Sequence, residues 1–289
     1  MISFRYHLVS IAAVLLALAA GIALGAGPLD DNAVLSGDDG AGSSVDPAVA
    51  GFESGYAART SGALLKDVLK GRSVVVMTLP GARAEETKGI RADIGKAGGE
   101  VTGEVQLTGK LVDPANRQFA EGVAQQSASD VKGVTDAGES YDRIGAALGR
   151  SVLGDGGKNL DTTATTISSA FDEGKLLNYA AKPERFADLA VIVSGPGRAG
   201  DSGSVSAQLA KAVDGAGGGA VLAGPSTSSQ DGGVLAALRD SDAASQVSSV
   251  DVTDTAAGRV VVSLALAREA GGQSGSWGTA RSADGAVPR

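Results

Sequence analysis

Residues 187–203 read ADLAVIVSGPGRAGDSG, and this stretch decides the fold class. Leu189-Ala190-Val191-Ile192-Val193 is apolar without alternation, as a strand covered on both faces by helices should be. The Gly/Pro/Ser cluster after it is turn chemistry, and Ser204 to Val213 then takes up a helical period. A second run of this kind, Val74-Val75-Val76, lies within Ser73 to Thr78. Working outward, further strands are expected at Val101 to Thr108, Gly219 to Ala223, Ser249 to Thr253 and Arg259 to Leu266, with Leu189 to Ser194 at the centre. Helices are expected at Glu85 to Ala97, Pro114 to Gln126, Tyr141 to Leu153, Thr163 to Tyr179 and Gly233 to Asp240. Strand, helix, strand at this spacing predicts an α/β domain over residues 52–270 with a doubly wound, mostly parallel sheet. The long helical middle, residues 114–180, reads as a cap or inserted subdomain, and residues 271–289 as a Gly/Ser-rich C-terminal tail carrying Trp277.

The chain has 289 residues, 43 of them Gly, with no Cys, one His and 3% aromatics. Its core must therefore be built from Val, Leu, Ile and Ala. A formal charge of -8 with no concentrated Lys/Arg face argues against nucleic acid as a partner, because neutralising phosphates needs one. The absence of Cys removes disulfides, thiolate nucleophiles and thiolate metal ligands together. With His7 the only imidazole, a Ser/His/Asp triad in the soluble region is excluded. No spacing of paired carboxylates marks a catalytic centre, and Glu85 and Glu86 are most simply acids at a helix N-terminus. The expectation is a protein without enzymatic activity and without a bound cofactor.

No charged side chain lies between His7 and Asp30, and Leu8 to Leu24 is almost continuously apolar. About 20 such residues span a bilayer as a helix. Arg5 precedes the segment and Asp30 and Asp31 follow it, which by the positive-inside tendency places the N-terminus in the cytoplasm and the rest outside. Residues 1–29 thus read as a single-pass signal anchor, with Phe4 and Tyr6 as interfacial residues. A cleaved secretory signal, with Ala23-Leu24-Gly25 as its small-x-small site, is the alternative; its apolar core usually runs roughly 7 to 15 residues. Residues 30–51, rich in Asp, Gly, Ser and Ala, read as a flexible tether.

Gly195, Gly197 and Gly200 form a G-x-G-x-x-G spacing between a strand and a helix, the arrangement that lets a backbone approach a pyrophosphate. Pro196 removes an amide donor, Asp201 puts an acid at the helix start, and no acid ends the next strand, Asp214 belonging to the intervening helix. A plain Gly/Pro surface loop is the competing reading. Gly224 to Ser229, with Ser226 and Thr227, should leave the next strand at the same sheet edge, close to Pro80 to Ala84. Open α/β sheets bind ligands at that edge, so these loops are the candidate ligand site. Metal ligands are sparse: Met77 belongs to an apolar strand, and Asp38 and Asp39 to the tether.

Taken in order, FRYHLVSIAAVLLALAAGIALG, GRSVVV, GGEVTGEVQLT, VDPANRQF, ADLAVIVSG, GGAVLAG and SSVDVTDTAAGRVVVSLAL, with the closing Gly/Trp/Gly segment, resemble the actinobacterial copper transport protein B family. The resemblance runs over nearly the whole chain. It implies a membrane-anchored envelope protein that contributes to copper efflux or homeostasis, with copper as the transported ion. It also implies partners: the membrane, and a second copy or another envelope protein. Members of the family follow the anchor with a heptad-patterned coiled coil, where this chain has the polar stretch 30–50. A membrane-tethered scaffold without transport of its own is the second expectation, because a pore needs several apolar helices or a closed barrel.

Overall fold

The computed structural model describes residues 46–288. The anchor 1–29 with Phe4, Arg5, Tyr6, Leu8 and Leu24, the sole histidine His7, and tether residues 30–45 lie outside the described residues. Helix α1 (Pro47–Leu64) leads into β1 (Ser73–Thr78), α2 (Ala84–Lys96) and β2 (Glu100–Leu107). A helical insertion follows: α3 (Gly109–Val112), α4 (Arg117–Ser127), α5 (Lys132–Thr135), α6 (Ser140–Arg150) and α7 (Thr162–Glu173). The chain continues through β3 (Leu177–Ala181), β4 (Leu189–Val193), α8 (Asp201–Asp214), β5 (Ala220–Ala223) and α9 (Val234–Arg239). It closes with β6 (Ser248–Val250), α10 (Ala256–Glu269) and β7 (Ser276–Trp277).

The seven strands form one sheet in the order β3-β2-β1-β4-β5-β6-β7, parallel throughout except where β3 joins β2 antiparallel. Successive strand residues point to opposite faces, and each face has its own core. Val75, Met77, Ala190 and Ile192 pack with α4, α6, α7 and α8, so the insertion is one layer of the domain. Val74, Val76, Val191 and Val193 pack on the other face with Ile90 and Ile94 of α2 and with α10. Both cores draw only on residues 65–277. Met77 is fully buried, as its place in an apolar strand predicts.

Four readings are corrected. Arg259 to Leu266 is not a strand but the body of α10, in which Val262, Ala265 and Leu266 are fully buried. An apolar run packed all round carries no period that separates helix from strand. Topology decides: β6 and β7 are parallel, and a parallel pair needs a crossover of a dozen or more residues between them. Thr255 caps the helix by accepting from the Gly258 amide at 2.9 Å. Second, the helix expected over Thr163 to Tyr179 stops at Glu173, where Gly174 and Lys175 (φ 58°) break it and β3 begins. Third, the α/β domain does not end at residue 270, since within the Gly/Ser-rich segment Ser276 and Trp277 extend the sheet and Trp277 is 6% exposed. Fourth, the last residues read as tether open α1: Asp46 accepts from the Ala48 amide at 2.8 Å and Pro47 sits in the first turn, a strong helix start.

Candidate functional site

The sheet changes winding direction between β1 and β4, where an open α/β sheet usually offers a ligand crevice beyond its strand ends. Here backbone fills it. Leu79 continues the ladder past β1, its amide donating to the Val193 carbonyl at 2.8 Å. Gly81, with φ 84°, then turns the chain onto Gly195, where a Cβ would stand 2.4 Å from the Gly81 carbonyl oxygen. Glycine at 195 is required by that close approach rather than by a phosphate.

The structure does bring the candidate loops together. The Gly197 amide donates to Thr227 Oγ1 at 3.3 Å, and Gly200, with φ 54°, forms the N-cap of α8. Ser226 donates through its amide at 3.2 Å and its hydroxyl at 2.8 Å to the Asp254 carboxylate. These contacts tie the loops to one another and to Asp254 at the sheet edge. Ser194, at the end of β4, is fully buried and its hydroxyl lacks a partner; Gly224 beside it leaves room for that hydroxyl and for Ser228. On the adjoining edge Thr253 donates to the buried Glu86 carboxylate, whose other oxygen lies 3.5 Å from Arg83. Glu86 is thus more than a helix-start acid, since it ties α2 to the segment following β6.

Two buried acid clusters carry no motif and escape sequence reasoning. At the carboxyl end of β6, Asp251 is fully buried and pairs with Arg239 at 2.7 Å, both side chains being almost wholly enclosed. Its other oxygen accepts from the Thr279 amide at 2.8 Å and from the Thr279 hydroxyl at 3.2 Å. Gly278 (φ 137°) is needed there, because a Cβ would stand 2.3 Å from that carboxylate. Asp251 therefore pins the segment after β7 to the sheet. At the opposite end of the strands, Glu269 accepts from the Ser248 amide at 2.8 Å and Asp214 from the Ala220 amide at 2.7 Å. Burial pushes the Glu269 carboxyl up to about 7, with the Asp214 charge adding to the rise, and burial pushes Asp214 up to about 6. Asp214 lies at the wrong end of the sheet to meet a ribose. A strand-end acid such as Asp251 in SSVDVTD was the one available signal for the first cluster; nothing local marks the second.

Among the described residues no group of three or more His, Cys, Asp or Glu side chains gathers where it could hold a metal ion. Among the same residues no helix is long and apolar enough to cross a membrane. The described domain thus offers copper no soft ligand apart from Met77, which is sealed inside the sheet.

Similarity to known proteins covers the full length. The chain is 29% identical over 315 residues to the protein named copper transporter MctB of Mycobacterium tuberculosis (strain ATCC 25618 / H37Rv), with 98% of each chain covered. The copper transporter MctB of Mycobacterium bovis matches equally, and that of Mycobacterium leprae is 28% identical over 321 residues with the same coverage. The family described as copper transport outer membrane protein, MctB, matches residues 1–288, and the chain belongs to that family.

Proposed function

We propose that this chain is a membrane-anchored envelope protein that contributes to copper efflux or homeostasis, its α/β domain held outside the cytoplasmic membrane by a single-pass anchor in residues 1–29. The full-length family match carries the reading. The apolar stretch Leu8 to Leu24, flanked by Arg5 and by Asp30 and Asp31, supports the anchor and its direction. Copper is cargo in this reading, and the chain performs no catalytic step. The donor set of the α/β domain supports a role through assembly rather than through a copper cage of its own. Deleting the gene is expected to raise cellular copper and lower copper tolerance, both restored by the full chain; unchanged copper content and tolerance would sink the proposal. Titrating the unit Val45–Arg289 with copper(I) and copper(II) against competing chelators is expected to show no tight stoichiometric binding. Tight binding would refute the indirect role while leaving the efflux reading intact.

A second reading, a tethered scaffold that binds another envelope protein or a second copy, is favoured by α1. Phe52 is 74% exposed and Tyr56 63%, their rings stacked 6.3 Å apart on the outer side of a helix that buries only Ala57 and Ser61. Exposed aromatics of this kind are typical interface anchors. Photocrosslinking from position 52 in cells should capture one specific protein, and a diffuse smear would count against the scaffold.

A further inference from the structure

On the face covered by the helical insertion, a cavity of about 500 Å³ opens between residues 131–137 and the place where α6 meets α8. That meeting is unusually close. Gly145 and Gly149 of α6 face Ala212 of α8 and Ala216 just beyond it, and a Cβ on either glycine would stand 2.5 Å from its partner's methyl. To the side of this contact Ala146, Ala212 and Ala216 are too short to reach Val131 and Val134, and the space between them stays unfilled. The wall is mixed, with Val131, Val134 and the alanines on one side and Asp142, Arg150, Lys211 and Gln246 supplying its polar part. Arg150 donates through Nη2 to Asp161 at 2.6 Å and lies over the Phe186 ring, while its Nη1 is buried with no acceptor. Lys211 meets Asp242 only loosely, at 3.6 Å, with Asp242 93% exposed. The acid that lines the cavity, Asp142, is engaged by the Glu139 amide at 3.1 Å.

We propose that this cavity binds a small anionic amphiphile, of which a medium-chain carboxylate is the simplest member. The volume falls within the range of small-molecule sites, roughly 300–1,000 Å³. The alkyl part would lie along Val131, Val134 and the three alanines, and the head group would pair with the loosely held Lys211 ammonium. A neutral ligand of equal length leaves that ammonium unanswered, and a cationic one meets like charge. The proposal rests on no part of the copper reading, since the cavity presents no soft metal ligand.

The test uses the compact unit Val45–Arg289, whose two cores are internal to it. Octanoate is titrated to about 1 mM by calorimetry, with octanol and octylammonium as neutral and cationic controls. Saturable one-to-one binding of octanoate is expected, about tenfold or more tighter than octanol, with no octylammonium binding. Ala146→Phe, which fills the cavity from its wall, and Lys211→Gln should each weaken octanoate by about tenfold or more without changing the circular dichroism spectrum. Octanol binding as tightly as octanoate, unchanged binding by a folded Ala146→Phe, or no saturable binding overturns the proposal. Should Ala146→Phe fail to fold, Lys211→Gln carries the test, because that side chain is one-third exposed and supports no core.

Discussion

The two ends of the sheet bury acids in opposite ways. At the carboxyl end Asp251 is given a guanidinium, two backbone amides within 3.4 Å and a hydroxyl. At the amino end Glu269 is given the amide and hydroxyl of Ser248 beside the Asp214 charge, Asp214 is given only the Ala220 amide, and no cation contributes to either environment. Desolvation is offset in the first case and left standing in the second. The first cluster is therefore a fastening built on paired charges, whereas the second makes stability depend on protons.

Breaking the carboxyl-end cluster should have the largest effect. Asp251→Asn leaves the Arg239 charge enclosed without its partner, and chemical denaturation should show a loss of about 3–5 kcal/mol. A loss below 1 kcal/mol would mean that solvent reaches Arg239 readily and that the two ends are not different in kind.

The amino-end cluster predicts a smaller effect that depends on pH. Because the folded-state carboxyls of Glu269 and Asp214 lie above their ordinary values of 4.5 and 3.8, the folded chain holds more protons than the unfolded one between those values and about 7. Stability must then fall as pH rises through that window and level off above it. The melting temperature should be about 2–5 °C higher at pH 5.5 than at pH 8. Glu269→Gln, which still accepts from Ser248, should stabilise the domain at pH 8, change little at pH 5.5 and flatten the profile. An unchanged profile in this variant would show that Glu269 is better solvated than its burial implies. Glu121, held low mainly by its hydrogen bond with Arg143, and Asp161, held low mainly by the Ala164 amide, act in the opposite sense. Their stabilisation is lost only as pH falls below about 4, so the two regimes separate in one titration.

The smallest effect belongs to the loop that joins neither cluster. Ser226→Ala removes an exposed hydrogen bond to Asp254, and melting should register at most about 1 kcal/mol. A larger loss would extend the fastened region from Asp251 out to the loops after β5.

The same contrast marks what the residues reveal unaided. β1 and β4 are legible because a central parallel strand is apolar on both sides, which few other structures demand. The sheet's edges are not, since β7 is two residues long and β3 alternates weakly. With β7 hidden, nothing requires a crossover after β6, and the Val-rich run 259–266 reads as the strand its β-branched residues favour. The candidate loops are placed correctly at one edge, yet their closure depends on Gly81 meeting Gly195 across 114 positions of chain, which no local pattern encodes. The buried acids are illegible for the same reason: Glu269 becomes perturbed only when the fold sets it beside Gly219 and Ser248.

The contact between Gly81 and Gly195 also governs how this fold tolerates change. Loop tips beyond a parallel sheet are ordinarily where sequence drifts most freely, since they carry function on a rigid frame. Here the tip at 195 admits no side chain without forcing two strands' loops apart, so it behaves as a core position that happens to lie at the end of the sheet. Freedom to vary is displaced to the helical insertion, whose residues 131–137 meet their neighbours across open space. New specificities in proteins built this way should therefore arise on the helical layer, while the edge that most open α/β sheets use stays fixed.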